Sequence, residues 1–352
     1  MKAIVMAGGL GSRLYPLTVG RPKPMIPLVN QPVLGHILNL LQRHNFSEVI
    51  ITARYLSHQI QEYFGDGRHW GVQLRYCIED VPLGTAGGVK NARSYLDDAP
   101  FLVISGDALT DINLSKLAHF HHKKQSLMTM ALKRVVNPSQ YGVVVTNAAG
   151  RVQYYLEKPQ PEQIISNMVN TGIYIINPEI LDQLESQTAY DFSYDVFPTL
   201  LAQNAPFFGK VMEGYWCDIG TLQSYTQATF DMLTEKVRGL DLGRYLGHNV
   251  WVGRNVEISP NSILSGPLYL GNGVKIFEGA TIHGPAVIGD QTVINREAHI
   301  EQAIISAHCH IGQGVYVKQT IIPERTIISG KLISPIENLA HSSQQVTNYT
   351  FA

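Results

Sequence analysis

The chain has 352 residues, and its 27 lysines and arginines nearly balance its 28 aspartates and glutamates. This length accommodates two sizeable hydrophobic cores, while the balanced charge lacks the basic patch that a nucleic-acid-binding protein needs. No stretch approaches the ~18 consecutive apolar residues of a spanning helix, and the three cysteines form no disulfide framework. We therefore expect a cytoplasmic protein that binds neither nucleic acid nor membrane.

The chain begins with an apolar strand that leads into a glycine-rich loop. Residues 3–7 have the composition of a strand buried on both faces, and three glycines follow between positions 8 and 11. Without Cβ atoms, the N–H groups of such a loop can converge on phosphate oxygens, and Arg13 and Lys23 add two cations. The spacing is not that of a P-loop, and Leu14 replaces the third glycine of the dinucleotide-binding fingerprint.

From the N-terminus to about residue 110, short apolar strands alternate with amphipathic helices, as in an α/β sheet. The sequence predicts strands at 48–52 and 74–76, helices at 32–45, 57–65 (capped by Ser57) and 89–96, and a second glycine-rich turn at 82–88.

A fully apolar strand over residues 101–107 ends on the carboxylate of Asp107. Ligands of open α/β sheets bind outside the carboxyl ends of the strands, so we expect Asp107 there and not in the core. Nearby Asp111 is more typical of a helix cap. The histidines at 119–122, near the end of the next helix, are expected on its solvated face.

The chain between residues 127 and 237 continues the alternation of strands and helices. The sequence predicts strands at 127–133, 141–145, 152–156 and 170–176, and helices at 178–185, 193–204 and 221–237, the last capped by Thr221. Adjacent Glu157 and Lys158 would point to opposite faces of a strand, but Pro159 favours a turn at this point. Asp218 lies beside a strand in an Asp-Ile-Gly sequence, which by itself indicates only a turn.

The remaining chain has a different periodicity. Apolar residues recur every six positions from Leu246 to Ile300, and the pattern resumes twice after one-residue slips. A period of six is the hexapeptide repeat of a parallel β-helix, and we expect five short coils. Stacked coils have open ends, so we expect a homo-oligomer that assembles through the β-helix. Residues 331–352 carry no recognisable pattern.

The N-terminal pattern Gly-Gly-x-Gly-Ser-Arg-Leu-x-Pro-Leu-Thr, followed by Lys-Pro, resembles the signature of the sugar nucleotidyltransferases. The resemblance extends to about residue 235 through Leu-Gly-Thr-Ala-Gly, Gly-Asp, Tyr-Gly-Val, Glu-Lys-Pro and Asn-Thr-Gly. It implies a Rossmann-like nucleotidyltransferase domain with a mixed central sheet over 1–237. A left-handed parallel β-helix of hexapeptide repeats would follow over 245–330, and then a tail over 331–352.

The resemblance also assigns site residues. It implies catalytic roles for Arg13, which would hold the departing pyrophosphate, and Lys23, and it places Mg²⁺ on Asp107 and Asp218. The implied nucleotide-binding residues are Ala7, Gly8, Gly9, Gly11, Ser12, Arg13, Lys23, Gly84 and Thr85. The implied residues for the sugar phosphate are Gly142, Glu157, Lys158, Asn170 and Thr171.

The implied activity joins a nucleoside triphosphate to a hexose 1-phosphate and releases pyrophosphate. The motifs are most similar to those of mannose-1-phosphate guanylyltransferases, which favours GTP. The alternatives are a glucose-1-phosphate uridylyl-, thymidylyl- or adenylyltransferase, a non-catalytic regulatory subunit, and a hexapeptide acyltransferase with His308 or His310 as its base. A regulatory subunit would be expected to lack charged site residues that this chain keeps, and nothing in the sequence indicates an acyl-CoA site.

Overall fold

The computed structural model describes residues 1–329 together with the backbone of Leu332–Ile333 and Tyr349–Phe351, and the rest of the predicted tail lies outside the described residues. The chain forms two compact units. The first unit comprises Met1–Ser12, Gly20–Ile26 and Pro32–Ile219. The second comprises Arg13–Val19, Pro27–Gln31 and, as far as it is described, Gly220–Ala352. The domain limits expected from the sequence stay a prediction.

The first unit is built on a mixed sheet of nine strands in the described chain. In spatial order, seven of them are Val152–Glu157, Gly142–Thr146, Met168–Ile176, Phe101–Ser105, Ala3–Met6, Glu48–Ala53 and Gln73–Ile78. The other two, Met128–Arg134 and Phe207–Val211, extend the sheet from Met168–Ile176. The four strands from Phe101–Ser105 to Gln73–Ile78 run parallel, and Met168–Ile176 runs antiparallel to its neighbours.

The parallel strands bring their carboxyl ends to one edge of the sheet. Val5 lies in register with Ile51 on one side and with Ile104 on the other, and all three side chains are fully buried. Apolar residues on both faces are what a parallel strand covered on both sides requires. The loops that follow Met6 and Ser105 therefore leave the sheet side by side, which is the location of ligand crevices in open α/β sheets.

Several helix boundaries differ from the prediction, since the helices predicted over 178–185 and 221–237 end at Asp182 and Leu233. The α-helices are Val33–Arg43, Ser57–Phe64, Gly84–Asn91, Leu114–Lys124, Glu179–Asp182, Phe197–Ala202 and, in the second unit, Leu222–Leu233. Ser57 is the first helical residue and not the cap, because Leu56 adopts a left-handed conformation (φ 47°) before it. The helix predicted over 89–96 begins at Gly84, so the second glycine-rich turn is helical.

Asp111 does not cap the following helix, contrary to the prediction. Its Oδ1 atom accepts the N–H of Tyr215 at 2.5 Å, which ties Asp111 to the loop before the strand Trp216–Asp218. Asn113 is the cap of Leu114–Lys124, since its side chain accepts the N–H of Lys116 at 2.8 Å.

His121 is buried and not on a solvated face. Only 2% of its surface is exposed, and its two ring nitrogens lie 3.0 Å from Thr129 Oγ1 and Asn177 Oδ1. Burial lowers the pKa of the imidazole below its usual value, partly opposed by the hydrogen bond to Asn177.

The second unit contains the helix Leu222–Leu233, which Thr221 caps as predicted by accepting the N–H of Ser224 at 3.1 Å. Three parallel sheets follow and stack into five coils in the described chain. The first sheet contains Val250–Val252, Leu268–Leu270, Ala286–Ile288, Ile304–Ile305 and Ile321–Ile322. The second contains Glu257–Ile258, Lys275–Ile276, Val293–Ile294, His310–Ile311 and Thr326–Ile328, and the third contains Ile263–Ser265, Thr281–His283, His299–Glu301, Tyr316–Lys318 and Leu332–Ile333.

The mixed sheet and the parallel β-helix confirm the expected fold class. Within the coils, the residues of the six-residue period fill the interior, and Ile282 and Ile288 are fully buried. Successive coils pair first at a spacing of 18 residues, as in Leu268 with Ala286, and later at 17, as in Ile304 with Ile321, which explains the slips.

The leading residue of the pattern is an exception. Leu246 is 46% exposed, because it belongs to the strand Arg244–Gly247, which pairs antiparallel with Val250–Val252 and is not part of a coil. Other short elements are the strands Pro27–Leu28, Gln31–Pro32, Ala108–Thr110 and Trp216–Asp218, the π-helix Phe192–Val196 and the 3-10 helices Ser12–Leu14, Lys23–Met25, Arg68–Trp70, Arg93–Tyr95 and Pro161–Gln163. No helix among the described residues is long and apolar enough to cross a membrane.

Candidate active site

Three charged side chains from distant parts of the first unit meet at the edge where the parallel strands end. The Nζ atom of Lys23 lies 2.5 Å from Asp107 Oδ2 and 3.8 Å from Asp218 Oδ1. The lysine side chain is 10% exposed, whereas those of Asp107 and Asp218 are 25% and 36% exposed. The ammonium group is therefore enclosed, and the two carboxylates remain accessible from solvent.

A two-stranded ladder brings the two carboxylates together. Trp216–Asp218 pairs antiparallel with Ala108–Thr110, which sets Asp218 opposite Ala108, and the N–H of Ile219 donates to Asp107 O at 3.1 Å. The strand predicted over 101–107 ends at Ser105, so Asp107 is the second residue after the strand and not its last residue. The hydroxyl of Ser105 donates to Asp107 Oδ1 at 2.6 Å and fixes the orientation of that carboxylate.

These donors fit a magnesium ion. Mg²⁺ binds carboxylate oxygens and is usually held in phosphoryl-transfer sites by one or two carboxylates, with water and substrate phosphates as the other ligands. Asp107 and Asp218 supply two such groups, both near one positive charge. Among the described residues, no group of three or more His, Cys, Asp or Glu side chains is placed to hold a metal ion.

The first glycine-rich loop leaves the same edge of the sheet. Ala7 is anchored by its N–H, which donates to Thr52 O at 2.8 Å, whereas Gly8 and Gly9 are exposed. A Cβ atom on Gly9 would lie 3.7 Å from Lys23 Cδ, so the loop passes close to the lysine stem. Gly11 adopts a left-handed conformation (φ 68°) that favours glycine.

The exposed residues Ser12 and Arg13 follow the loop at the start of the 3-10 helix Ser12–Leu14. Ser12 belongs to the first compact unit and Arg13 to the second. The two cations of the N-terminal motif, Arg13 and Lys23, thus fall in different units.

The second glycine-rich sequence forms the first turns of Gly84–Asn91. The N–H groups of Ala86 and Gly87 donate to Tyr190 O at 2.9 and 3.0 Å. A Cβ atom on Gly84 would lie 2.5 Å from this same oxygen, so the close approach requires glycine. The Thr85 hydroxyl is directed to the same segment and donates to Asp191 Oδ2 at 2.8 Å.

Glu157 and Lys158 form an ion pair at the end of the strand Val152–Glu157. Lys158 adopts a left-handed conformation (φ 45°), and its side chain is 59% exposed with Nζ 3.8 Å from Glu157 Oε1. Glu157 is 16% exposed, and its other oxygen accepts a hydrogen bond from the hydroxyl of Tyr155. Both charges of the pair are thus on one side of the turn that Pro159 predicted.

Tyr155 also explains the glycine at position 142. A Cβ atom at Gly142 would collide with the Tyr155 hydroxyl and ring. Burial, followed by the neighbouring Tyr174 and Glu157, raises the pKa of the Tyr155 phenol well above its usual value. Tyr155 therefore remains protonated and keeps donating to Glu157.

Asn170 and Thr171 lie on the next strand, Met168–Ile176, with different accessibility. Asn170 donates through Nδ2 to the Tyr174 hydroxyl at 2.9 Å and remains partly exposed. Thr171 is 2% exposed, and its hydroxyl donates to Ala131 O at 2.8 Å. Asn170 Oδ1 also accepts the N–H of Gly172 at 2.9 Å, so the partly exposed amide is held in place, while the Thr171 hydroxyl is bonded to the backbone.

Several residues of this region were not predicted from the sequence. Tyr155 is two residues before Glu157 on the same strand, and the alternation of a strand places both on one face, so this contact had a detectable signal. Ser193, whose Oγ lies 2.7 Å from the Tyr155 hydroxyl, is 38 residues away and had none. Trp216 donates from Nε1 to Thr171 O at 3.0 Å and so links the strand of Asp218 to the strand Met168–Ile176.

Comparisons with known proteins identify the family of this chain. The family model described as nucleotidyl transferase matches residues 2–235. A UTP–glucose-1-phosphate uridylyltransferase from Synechocystis sp. is 34% identical over 337 residues, covering 92% of this chain and 87% of that protein. A mannose-1-phosphate guanylyltransferase from Mycobacterium tuberculosis is 32% identical over 282 residues, covering 75% and 78%. The crystal structure of HddC from Yersinia pseudotuberculosis has a TM-score of 0.58 at 25% identity, covering 66% of this chain and 99% of that one.

Proposed function

Because this chain belongs to the nucleotidyl transferase family and is a sugar-phosphate nucleotidyltransferase, we propose that it makes a nucleoside diphosphate sugar from a nucleoside triphosphate and a hexose 1-phosphate. Convergence of Asp107, Asp218 and Lys23 beside the glycine-rich loop supports this assignment most directly. Two carboxylates and an enclosed ammonium group beside exposed glycines are suited to a substrate rich in phosphate.

In the proposed reaction, a phosphate oxygen of the hexose 1-phosphate attacks the α-phosphorus of the nucleotide. The bond from the α-phosphorus to the bridging oxygen breaks, and pyrophosphate leaves with the bonding electrons. The step needs no protein nucleophile, so the protein contributes positioning and charge neutralisation. Lys23 would offset charge that develops near the α-phosphate, and Arg13 would bind the departing pyrophosphate.

Asp107 and Asp218 would hold Mg²⁺, which supplies neutralising charge to the phosphate oxygens when it is bound. Ser105 would keep the Asp107 carboxylate oriented, because its hydroxyl already donates to Oδ1 at 2.6 Å. The enclosed ammonium of Lys23 lies between the two carboxylates and offsets the repulsion between their charges.

The sugar phosphate would bind beside Glu157 and Lys158. The exposed Lys158 ammonium is available to the 1-phosphate, and the Glu157 carboxylate can accept hydrogen bonds from sugar hydroxyls. Asn170 and the backbone at Gly142 would add polar contacts, with Thr171 contributing through its backbone. The nucleotide would bind across the loop at 7–12 and the helix start at Gly84 and Thr85.

For the substrates, we propose GTP and mannose 1-phosphate. This choice is supported by the motifs and by relatives named mannose-1-phosphate guanylyltransferases in Mycobacterium tuberculosis and Arabidopsis thaliana, 32% and 31% identical. The uridylyltransferase of Synechocystis sp., 34% identical over 92% of this chain, favours UTP with glucose 1-phosphate as the second candidate. We also propose a cytoplasmic homo-oligomer that assembles through the β-helix.

The test is release of pyrophosphate from every pairing of four nucleoside triphosphates with mannose and glucose 1-phosphate, in the presence of Mg²⁺. We expect the highest kcat/KM for GTP with mannose 1-phosphate. A higher value for UTP or dTTP with glucose 1-phosphate would replace our substrate assignment. Inactivity with every pair would favour a regulatory subunit, and product formation only with acetyl-CoA would favour an acyltransferase.

A further inference from the structure

The segment Tyr190–Ser193 bonds to the helix start at Gly84 and Thr85, where we place part of the nucleotide. Tyr190 O accepts the N–H groups of Ala86 and Gly87 at 2.9 and 3.0 Å. The same segment closes a second contact, since the N–H of Phe192 donates to Thr85 Oγ1 at 2.9 Å. The backbone of this segment is thus in direct contact with the second glycine-rich sequence.

Asp191 is the centre of these contacts. Its Oδ2 atom accepts the Thr85 hydroxyl at 2.8 Å, and its Oδ1 atom accepts the N–H of Ser193 at 2.7 Å. The Asp191 carboxylate therefore bonds both to Thr85, in the helix Gly84–Asn91, and to Ser193, which lies next to Tyr155.

The Ser193 hydroxyl extends the network to Glu157. Tyr155 has a single hydroxyl proton and lies within hydrogen-bond distance of both Glu157 Oε2 and Ser193 Oγ. An ionised carboxylate can only accept, so Tyr155 donates to Glu157 and accepts from Ser193. The direction of the network is thereby fixed as Ser193 to Tyr155 to Glu157.

Aromatic packing makes this network rigid. The Tyr155 ring meets Phe197 edge-on at 4.9 Å between centroids, and Phe192 lies 5.2 Å from Tyr174, which accepts the Asn170 amide. Phe197 and Phe192 are 0% and 2% exposed. Both phenylalanines belong to a helix that begins as a π-helix, a geometry that is often found at functional sites.

We propose, building on the function proposed above, that Tyr155 and Ser193 are positioning residues that fix the Glu157 carboxylate for the hydroxyls of the hexose 1-phosphate. Asp191 bonds to both Ser193 and Thr85, so the segment Tyr190–Ser193 connects the Glu157 carboxylate to the helix Gly84–Asn91. This connection fixes the position of the sugar-phosphate site relative to the nucleotide site. Without the Tyr155 hydroxyl, Glu157 would lose its orienting donor and rotate freely.

The experiment measures pyrophosphate release by Tyr155→Phe and Ser193→Ala as a function of each substrate. We expect the KM for the hexose 1-phosphate to rise about 10- to 150-fold, as loss of one hydrogen bond to a charged group implies. The KM for the nucleotide should stay within about twofold. Tyr76→Phe and Ser115→Ala are matched controls, because these hydroxyls bond to Gly65 O and His44 away from the network, and they should leave both constants unchanged.

A double-mutant cycle separates positioning from a general structural role. In a Glu157→Ala background, Tyr155→Phe should raise the same KM by less than about twofold, because the acceptor that it orients is already gone. Asp191→Ala should raise the KM values of both substrates, since Asp191 bonds to both sides. A variant that only weakens the fold would lower the melting temperature without raising the KM for the hexose 1-phosphate selectively.

Full additivity in the cycle, or wild-type KM values in Tyr155→Phe and Ser193→Ala, would overturn the proposal while leaving the function intact. If the wild-type chain releases no pyrophosphate with any pair, the proposed function fails instead. Calorimetric titration with mannose 1-phosphate and glucose 1-phosphate then decides the inference by binding alone. Equal affinity of wild type and Tyr155→Phe, or absence of binding to the wild type, would refute it.

Discussion

Asp107 and Asp218 come from distant positions in the chain and share one enclosed ammonium group, that of Lys23. If they hold the metal, Asp107→Asn and Asp218→Asn should each lower turnover by roughly 100-fold or more, because neutralising either ligand weakens the metal site. The measurement is turnover across a Mg²⁺ titration, with Asp66→Asn at an exposed ion pair as the control. Near-normal turnover of either variant at low Mg²⁺ would remove that residue from the metal site.

The three cations of the proposed site should be separable by kinetics. Arg13→Ala and Lys23→Ala should reduce kcat more than they raise the KM for the sugar phosphate, because their charges matter most as the bond to pyrophosphate breaks. Lys158→Ala should instead raise that KM most, since in the proposed site its exposed ammonium would bind the 1-phosphate. A rise in KM alone for Arg13 or Lys23 would mean that these roles are misassigned.

His121 gives stability a dependence on pH. Burial lowers the pKa of its imidazole below the ordinary value of 6.5, so the unfolded chain binds more protons than the folded chain as the pH falls through that range. The free energy of unfolding should therefore decrease from pH 7 to pH 5. In His121→Gln this decrease should be smaller. The control His69→Gln changes an exposed histidine and should retain the decrease. Urea unfolding at several pH values measures the difference. An identical slope in His121→Gln would contradict the assignment.

At the scale of an element, the coils of the β-helix depend on their interior residues. Ile288→Ala should lower the free energy of unfolding by about 2–5 kcal/mol, because the side chain is fully buried and its removal leaves a cavity. Leu246→Ala lies in the same six-residue phase but is 46% exposed, and should change it by less than about 0.5 kcal/mol. Denaturant unfolding followed by circular dichroism compares the two. Equal losses would place Leu246 in the core as well.

The contrast between Ile288 and Leu246 also shows what the sequence can predict. Periodicity identifies a buried position when the same contact repeats along the chain, and so the coils and the sheet strands were predictable. Periodicity cannot distinguish a coil strand from an antiparallel strand whose apolar residue falls at the same six-residue spacing, as Leu246 does. Likewise, glycines at 84–88 indicated a turn, but the backbone of Tyr190 packs against them and allows a helix.

The same distinction applies to the candidate site. Asp107 was identifiable because an apolar strand must end at the crevice, and Lys23 and Asp218 because they fall within longer family motifs. Ser193 and Asp191 carry no such local signal, since their importance depends on contacts with Tyr155 and Thr85 that only the folded chain creates.

At the scale of the whole molecule, the chain passes between its compact units after Ser12, Val19, Ile26, Gln31 and Ile219. A fragment ending at residue 219 would therefore retain Arg13–Val19 and Pro27–Gln31 without the rest of their unit. A fragment ending at residue 238 keeps the helix Leu222–Leu233, whose Tyr225 hydroxyl donates to Pro27 O at 2.9 Å.

We expect the fragment ending at 238 to stay folded and to be stabilised by nucleotide, with loss of oligomeric state, and the fragment ending at 219 to melt at a lower temperature. Thermal denaturation, light scattering and the pyrophosphate assay make the comparison with the full chain. Equal melting temperatures of the two fragments would show that Leu222–Leu233 is dispensable. A fragment ending at 238 that stays assembled but has no turnover would show that the β-helix completes the active site.

The β-helix finishes at each end on a strand that runs against the stack. Arg244–Gly247 pairs antiparallel with Val250–Val252 of the first coil, and Tyr349–Phe351 pairs antiparallel with Thr326–Ile328 of the last. A stack of parallel coils has no inherent stopping point, because each coil leaves a hydrogen-bonding edge like the one it covers. At each end, an antiparallel strand occupies that edge in one of the three sheets, so the next edge differs from that of a parallel coil. These two strands therefore cover one of the three edges at each end, and we expect them to disfavour end-to-end stacking of the solenoids into a filament.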